Sequence, residues 1–383
     1  MDIDRIFNPL ELLEKKSFFL FGPRSTGKTS LLNKKIGEKV PSINLLQSKY
    51  FLPLANDPSA LSEIIGNSKF AIIDEIQKLP ALLDEVHHLI ESQGKHFVLT
   101  GSSARKLKQE NANMLGGRAT KVDFFPLTWK ELSEAKIFDL NRTLRFGSLP
   151  RVYLSDAPDQ ELFDYVDVYL KEEIRMEANI RKLPAFSRFL KIAALGMGNL
   201  TNYANTASDI GGISGQSVRN YFEILDDTLL GFALNPWKSG KSRKSVSTAK
   251  HYLFDCGITH TLSGTKHLER NSSLYGACFE LFIINEVRAY ISYRRKRTEI
   301  AFWRTKHGDE VDLVLDDSIA IEIKSSKRVA KSDWKGLRSI TDEGPWKMRI
   351  LVSQDEVERQ PEKNLRFLYW EVFLKKLWDN EIF

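Results

Sequence analysis

Phe18-Phe19-Leu20-Phe21-Gly22-Pro23-Arg24-Ser25-Thr26-Gly27-Lys28-Thr29-Ser30-Leu31-Leu32 is the stretch whose reading decides the fold. Four apolar residues enter it, and a segment with helical apolar spacing leaves it. Between them stands G-x-x-x-x-G-K-T, the phosphate-binding loop of nucleoside triphosphatases. Gly22 and Gly27 let the backbone curl so that successive N–H groups point at phosphates, at a helix N-terminus whose dipole favours negative charge. The segment Gly22, Pro23, Arg24, Ser25, Thr26, Gly27, Lys28, Thr29 and Ser30 is therefore read as the nucleotide cradle. Lys28 reaches the β- and γ-phosphates of ATP, and the Thr29 hydroxyl ligates Mg2+.

Working outward, short apolar runs alternate with helical stretches up to about residue 135. This pattern predicts an α/β domain with a parallel sheet covered by helices. Strands are expected near Ser17–Phe21, Ser42–Leu45, Phe70–Ile73, Phe97–Thr100 and Lys121–Phe124. Helices are expected near Lys28–Ile36, Ser59–Ile65 and Ala81–Glu91. The third strand runs Phe70-Ala71-Ile72-Ile73 into Asp74-Glu75, a Walker B pattern. Asp74 would hold magnesium, and Glu75 would orient and polarise the attacking water. The fourth strand ends in Thr100-Gly101-Ser102-Ser103. Thr100, Ser102 or Ser103 would sense the γ-phosphate there, or the segment is a turn of small residues. Arg118 follows Gly116-Gly117. It is read either as a finger that reaches a neighbouring copy's γ-phosphate, giving a homo-oligomer, or as a solvated turn arginine.

Gly22-Pro23-Arg24, Ile72-Ile73-Asp74-Glu75-Ile76-Gln77-Lys78-Leu79-Pro80, Leu99-Thr100-Gly101-Ser102-Ser103-Ala104-Arg105-Lys106-Leu107 and Phe125-Pro126-Leu127 resemble a large prokaryotic family of AAA-type ATPases. The resemblance continues through Gly147-Ser148-Leu149-Pro150-Arg151-Val152 and Tyr169-Leu170-Lys171-Glu172-Glu173-Ile174. It implies a P-loop core of five parallel strands, with the Walker B strand not adjacent to the phosphate-loop strand. It also implies a winged helix after that core, then a carboxy-terminal domain related to restriction-endonuclease-like folds. The family has Gln-Val where this chain has Ser25-Thr26, and a second glycine where it has Ser148. Neither change removes a phosphate or metal contact. In the family the segment near Pro150 is a lid over the nucleotide. Arg151 would then contact phosphate, or else it forms a surface salt bridge.

The expected divisions are 1–135 for the ATPase core, 136–185 for a helical lid, 186–265 for the winged helix and 266–383 for the nuclease-like domain. Asn141–Ile180 reads as helical with a break at Leu149-Pro150. Helices over Phe186–Leu195, about Asn202–Ile210 and Ser214–Leu225, with a glycine turn at Gly211-Gly212, form a helix-turn-helix layout, and Ser214 is the expected N-cap. Gln216, Arg219 and Asn220 would face outward. A basic loop, Lys238-Ser239-Gly240-Lys241-Ser242-Arg243-Lys244-Ser245, lies between two expected strands, where a wing presents charge to a phosphate backbone. Gln216, Arg219, Lys241, Arg243 and Lys244 are the candidate DNA contacts. Packing of the same module against protein is the other reading.

In the last domain, Tyr275–Tyr290 has helical spacing and carries Glu280 and Glu286. Glu310–Leu315 and Ala320–Lys324 alternate as a hairpin with a turn at Asp316-Asp317. Asp312, Glu322 and Lys324 make the D…E-x-K constellation of restriction-endonuclease-like nucleases, with Glu280 as an added acid. The two strand carboxylates would ligate magnesium, and Lys324 would position water or stabilise charge. Arg294-Arg295-Lys296-Arg297 is read as a phosphate track or as a solvated face.

The 383 residues suffice for two or three domains, and 42% apolar residues suffice for real cores. The net charge of +6 permits an anionic partner without demanding one. Two cysteines form no ligand pattern and read as buried thiols. The acidic Met1–Asp4 and the lack of a spanning apolar run predict a cytoplasmic protein with no signal peptide and no membrane partner.

Overall fold

The computed structural model describes residues 3–37, 40–103, 107, 115–170, 183–238 and 248–383. Lys241, Arg243 and Lys244, residues 104–106 and the segment 171–180 of the expected lid lie outside the described residues.

Five strands form the first sheet: β1 (Ser17–Phe21), β2 (Ser42–Asn44), β3 (Phe70–Asp74), β4 (His96–Gly101) and β5 (Ala119–Asp123). Their order is β2-β3-β4-β1-β5, and every pairing is parallel. Strand β4 thus separates the Walker B strand from the phosphate-loop strand, as the family resemblance implies. The unbroken apolar runs follow from burial of both faces. Phe18 and Leu20 pack with Ile72, Val98 and Val122 on one side. Phe19 and Phe21 pack with Ile73, Phe97 and Leu99 on the other. Helix α1 (Lys28–Lys35) follows the phosphate loop, and α2 (Leu82–Gln93) precedes β4.

Helices α3 (Leu183–Leu195), α4 (Tyr203–Ile210) and α5 (Gly215–Asp227) bury a common core through Phe186, Phe189, Val218, Tyr221 and Phe222. Ser214 caps α5 by accepting the Ser217 N–H at 3.2 Å. Strands β6 (Gly231–Pro236) and β7 (Lys250–Leu253) then pair antiparallel.

This hairpin does not stand alone. Asn235 and Pro236 pair parallel with Ala301 and Phe302 of β8 (Ile300–Arg304). The hairpin therefore extends a sheet completed by β9 (Glu310–Leu315), β10 (Ile319–Lys324), β11 (Met348–Ser353), β12 (Arg359–Glu362) and β13 (Leu365–Tyr369). The eight strands run β12-β13-β11-β10-β9-β8-β6-β7, and the expected β9–β10 hairpin is present. Helix α6 (Cys256–Ser263) leads into α7 (Ser273–Tyr293), and α8 (Trp370–Trp378) closes the chain. Phe18, Val122, Phe282, Tyr290 and Trp378 belong to one continuous apolar core, so α7 packs against both sheets' elements. Among the described residues no helix is long and apolar enough to cross a membrane.

Candidate functional site: a phosphate loop and an acidic centre

The phosphate loop leaves β1 at the carboxyl edge of the first sheet, where ligand crevices of open α/β sheets lie. Gly22 packs against β5 so closely that a Cβ would stand 2.3 Å from the Phe124 carbonyl. Gly27 has φ +93° and opens α1 with its N–H groups toward the loop. Lys28 donates from Nζ to the Gly22 and Pro23 carbonyls at 2.7 and 3.0 Å. Thr26 Oγ1 closes the loop onto the Pro23 carbonyl at 2.8 Å. Thr29 and Ser30 are exposed in the first turn of α1.

Across from the loop, Thr29 Oγ1 lies 3.4 Å from Asp74 Oδ2. Hydroxyl and carboxylate oxygens are the hard donors magnesium takes, and a P-loop metal draws its remaining ligands from phosphate and water. These two residues therefore fit the ion. Thr100 donates its hydroxyl to Asp74 Oδ1 from the end of β4. Glu75 adopts a left-handed conformation, φ 62°, at the strand end. Gln77 donates from Nε2 to Glu75 and, at 3.2 Å, to Ser102 Oγ. Ser102 is 3.5 Å from the same Glu75 oxygen. Gly101 makes room for this arrangement, since a Cβ there would meet Gln77 Oε1 at 2.6 Å. Ser103 instead donates to the Asp227 carbonyl, at the end of α5, at 3.3 Å.

The segment around Pro150 flanks the loop: the Pro150 ring lies 3.8 Å from where a Cβ of Gly27 would stand. Ser25, Leu149, Arg151, Glu161 and Tyr165 line a cavity of about 260 Å3 there. Arg151 pairs with Glu161 at 2.6 Å, the salt-bridge alternative of the two sequence readings. Arg118 pairs with Glu91. Its position follows from register: Ala119 pairs with Ser17, whereas the phosphate loop leaves Phe21 at the other end. Four residues of strand, roughly 13 Å, separate the two edges.

The second grouping lies in the tail. Asp312 on β9, Glu322 and Lys324 on β10, and Glu280 on α7 meet as the sequence motif predicts. Glu322 pairs with Lys324. Asp312 Oδ2 accepts the Ile323 N–H at 2.8 Å. A residue the sequence reading passed over stands among them. Lys250 of β7, 1% exposed, bonds Glu310 and lies 3.5 Å from Glu280 and 3.6 Å from Asp312. Tyr252, two residues along the same strand, donates its hydroxyl to Glu280. Burial would lower the Lys250 ammonium, but Glu280, Asp312 and Glu310 outweigh it and hold the group above its usual range. Burial pushes Glu280 up to about 7 despite Lys250. Burial, with Asp312 beside it, raises Glu322 well above the carboxylate range. The basic run Arg294–Arg297 lies elsewhere. Fourteen residues of α7 and its end, roughly 21 Å, separate Arg294 from Glu280. Lys296 bonds the Phe383 carbonyl.

Residues 14–133 match the family model described as AAA domain. The amino-terminal domain is a P-loop domain of the AAA type. Residues 137–269 and 275–371 match two models described as domains of unknown function, DUF8612 and DUF4143. The chain is similar to an uncharacterised protein of Mycobacterium tuberculosis, 26% identical over 309 residues, 78% of this chain and 67% of that protein. An uncharacterised protein of Methanocaldococcus jannaschii is 27% identical over 334 residues, 76% of this chain and 73% of that protein. Among solved structures it is similar to the Walker-type ATPase of Pyrococcus abyssi, at 15% identity and TM-score 0.45, over 66% of this chain and 93% of that one. The Aeropyrum pernix ORC1 protein in complex with DNA aligns at 15% identity and TM-score 0.28, over 65% of this chain and 87% of that one.

The AAA domain is fastened to the tail by buried polar contacts. Arg5 donates to the Thr26 carbonyl of the phosphate loop at 2.7 Å, to Glu131 at 2.9 Å, and to the Tyr293 hydroxyl of α7 at 3.3 Å. Ser292 both accepts from the Asp123 N–H and donates to its carbonyl, at 2.9 and 2.8 Å. Glu286, one of the two helix acids noted in sequence, accepts the Trp129 N–H and the Trp378 indole N–H at 2.7 and 2.9 Å. It is a fastening group of the AAA domain and closing helix rather than a member of the acidic centre. Gln216 and Arg219 are exposed on α5, as expected, and Gln216 donates to Asn220 at 2.9 Å.

Proposed function

We propose that the chain binds and hydrolyses ATP at the AAA domain and passes its nucleotide state to the helices over 183–227 and to the tail. The observation that carries this reading is the meeting of Thr29, Asp74, Thr100 and the Gln77-held Glu75 opposite the phosphate loop. Lys28 leaves its loop carbonyls for the β- and γ-phosphates, and the N–H groups of the loop and of α1 neutralise phosphate charge. Thr29 and Asp74 would hold Mg2+, which supplies charge neutralisation at the β- and γ-oxygens. Glu75 orients a water and takes its proton as the water oxygen bonds the γ-phosphorus and the bond from that phosphorus to the β–γ bridging oxygen breaks, releasing ADP and phosphate. Ser102, bonded through Gln77 to the same carboxylate, registers the γ-phosphate. Arg118 serves a neighbouring copy, since it stands at the wrong edge for its own site.

Phosphate release measured on the full chain tests the reading. Lys28→Ala is expected to lose nucleotide binding and turnover while keeping its fold. Glu75→Gln is expected to bind ATP with kcat lowered about 10²–10⁴-fold. Turnover by Glu75→Gln at the original rate would show that Glu75 is not the base.

For the middle module the reading is DNA contact through Gln216 and Arg219, joined by Lys241, Arg243 and Lys244. The other reading is a scaffold ATPase whose middle and tail bind protein. DNA binding through phosphates weakens steeply between low and physiological salt, and Arg219→Ala lowers that slope by about 1. DNA affinity that ignores both salt and Arg219 favours the scaffold.

A further inference from the structure

A D…E-x-K centre in a nuclease fold calls for a divalent metal, yet the donor set assembled in the tail does not fit one. Magnesium requires near-octahedral oxygens at about 2.1 Å from one point. Here that point is taken. Lys250 places its ammonium within 3.5 Å of Glu280 and 3.6 Å of Asp312 and bonds Glu310, with the side chain 1% exposed. Most of the carboxylate oxygens are committed as well. Asp312 Oδ2 accepts a backbone N–H from β10, and Asp312 Oδ1 faces Lys250. Glu280 Oε1 takes both the Tyr252 hydroxyl and the Lys250 contact. Glu310 also pairs with Arg304, and Glu322 Oε1 pairs with Lys324. Two oxygens are left over: Glu322 Oε2, buried without a hydrogen-bond partner, and Glu280 Oε2. Two oxygens beside an ammonium do not make a magnesium site, which takes about six. Among the described residues no three His, Cys, Asp or Glu side chains are grouped to hold a metal ion.

We infer that Lys250 is the resident cation of this centre: its ammonium stands where a nuclease holds its metal, and the tail takes no divalent ion there. The source of the cation matters. Lys250 comes from β7, the hairpin of the middle module, while the acids come from α7, β9 and β10. The contact therefore fastens the middle module to the tail by charge, alongside the β6–β8 pairing. A fixed ammonium balances the carboxylates and satisfies hydrogen bonds, but it neither activates a water nor bridges two phosphate oxygens as a metal does. On this inference the D…E-x-K residues of the chain are a structural junction.

The test uses the nucleotide-free full chain and Mn2+ as the probe, with free Mn2+ followed by its paramagnetic resonance. Wild type, Asp312→Asn and Glu322→Gln are expected to bind the same number of Mn2+ ions per chain up to about 1 mM. A site present in wild type and absent from either variant overturns the inference, whatever the lysine variants do. Lys250→Met removes the cation and leaves the carboxylates in place. It is expected to melt about 5–10 °C lower, because buried acids lose their partner. A folded Lys250→Met chain that gains one Mn2+ site supports the assignment. A Lys250→Met chain that melts with wild type overturns it.

Discussion

Gln77 holds Glu75: its amide donates from Nε2 to the Glu75 carboxylate and, at 3.2 Å, to Ser102 Oγ, so one buried side chain ties the proposed water-orienting acid to the end of β4. Gln77 is fully buried, and Gly101 leaves the space it fills.

Gln77→Leu keeps the volume and removes both bonds. Glu75 then loses its fixed orientation while the phosphate loop is untouched. The expected outcome is a kcat lowered about 10-fold or more with KM changed less than about 3-fold, read by steady-state phosphate release. A KM effect with unchanged kcat would place Gln77 in nucleotide binding instead.

Arg118 gives a prediction of a different kind, because it stands at the amino edge of β5, away from the phosphate loop of its own chain. Its surface pair with Glu91, half exposed on both sides, contributes little to stability. Arg118→Ala is expected to fold normally and lose about 10-fold or more in kcat. Mixing it with Lys28→Ala, itself inactive, should restore turnover, since the second chain supplies Arg118 to the first chain's intact site. A mixture no faster than the sum of its parts rules out the finger.

Arg5 is buried and clasps Glu131, the Thr26 carbonyl and Tyr293 together. Arg5→Met strands the buried Glu131 carboxylate, and is expected to destabilise the chain by about 3–5 kcal/mol in denaturant unfolding. Adding Glu131→Gln should recover part of that loss. Equal, additive losses from the two changes would show that the pair is not coupled.

His251 predicts an acid-side slope in stability. Burial lowers it to about 4, from an ordinary value near 6.5. It stacks on Phe222 at 4.0 Å, and its Nδ1 is buried without a partner. The unfolded chain binds this proton between pH 6.5 and 4 and the folded chain does not. Stability from this group is therefore complete above about pH 6.5 and is lost as pH falls toward 4. Buried Asp255, Glu280 and Glu286 slope the opposite way, because burial raises each of them. The comparison with His251→Phe isolates the histidine: the wild type should lose about 1–3 kcal/mol more than the variant between pH 6.5 and 4. Parallel curves would contradict it.

The three central strands β1, β3 and β4 were readable because each is buried on both faces and so appears as an apolar run ending in polar chemistry. Ile72-Ile73-Asp74-Glu75 shows this most plainly. The helix over Ser48–Asn56 was not read from the sequence: Pro53 lies inside it, where proline argues against a helix. The β6–β8 pairing joins residues more than sixty positions apart, and nothing local announces it. Lys250 did leave a signal. Lys250 and Tyr252 are two apart on a strand, so both point to one face, and both meet Glu280. Lys250 falls between the basic loop Lys238–Ser245 and Tyr252, and was passed over there. Arg5 gave no such sign, since its partners come from distant segments.

Helix α7 has a mechanical consequence. Its 21 residues make a rod about 30 Å long. One end is clamped to the first sheet through Ser292 and Tyr293, and Glu280, about 20 Å along the rod, stands beside Lys250. A rod of that stiffness converts a small tilt at the clamp into a displacement farther along it. A tilt driven from β5 would pass the Glu286 fastening to Trp129 and Trp378 before it reaches the Glu280–Lys250 contact, at the seam between middle module and tail.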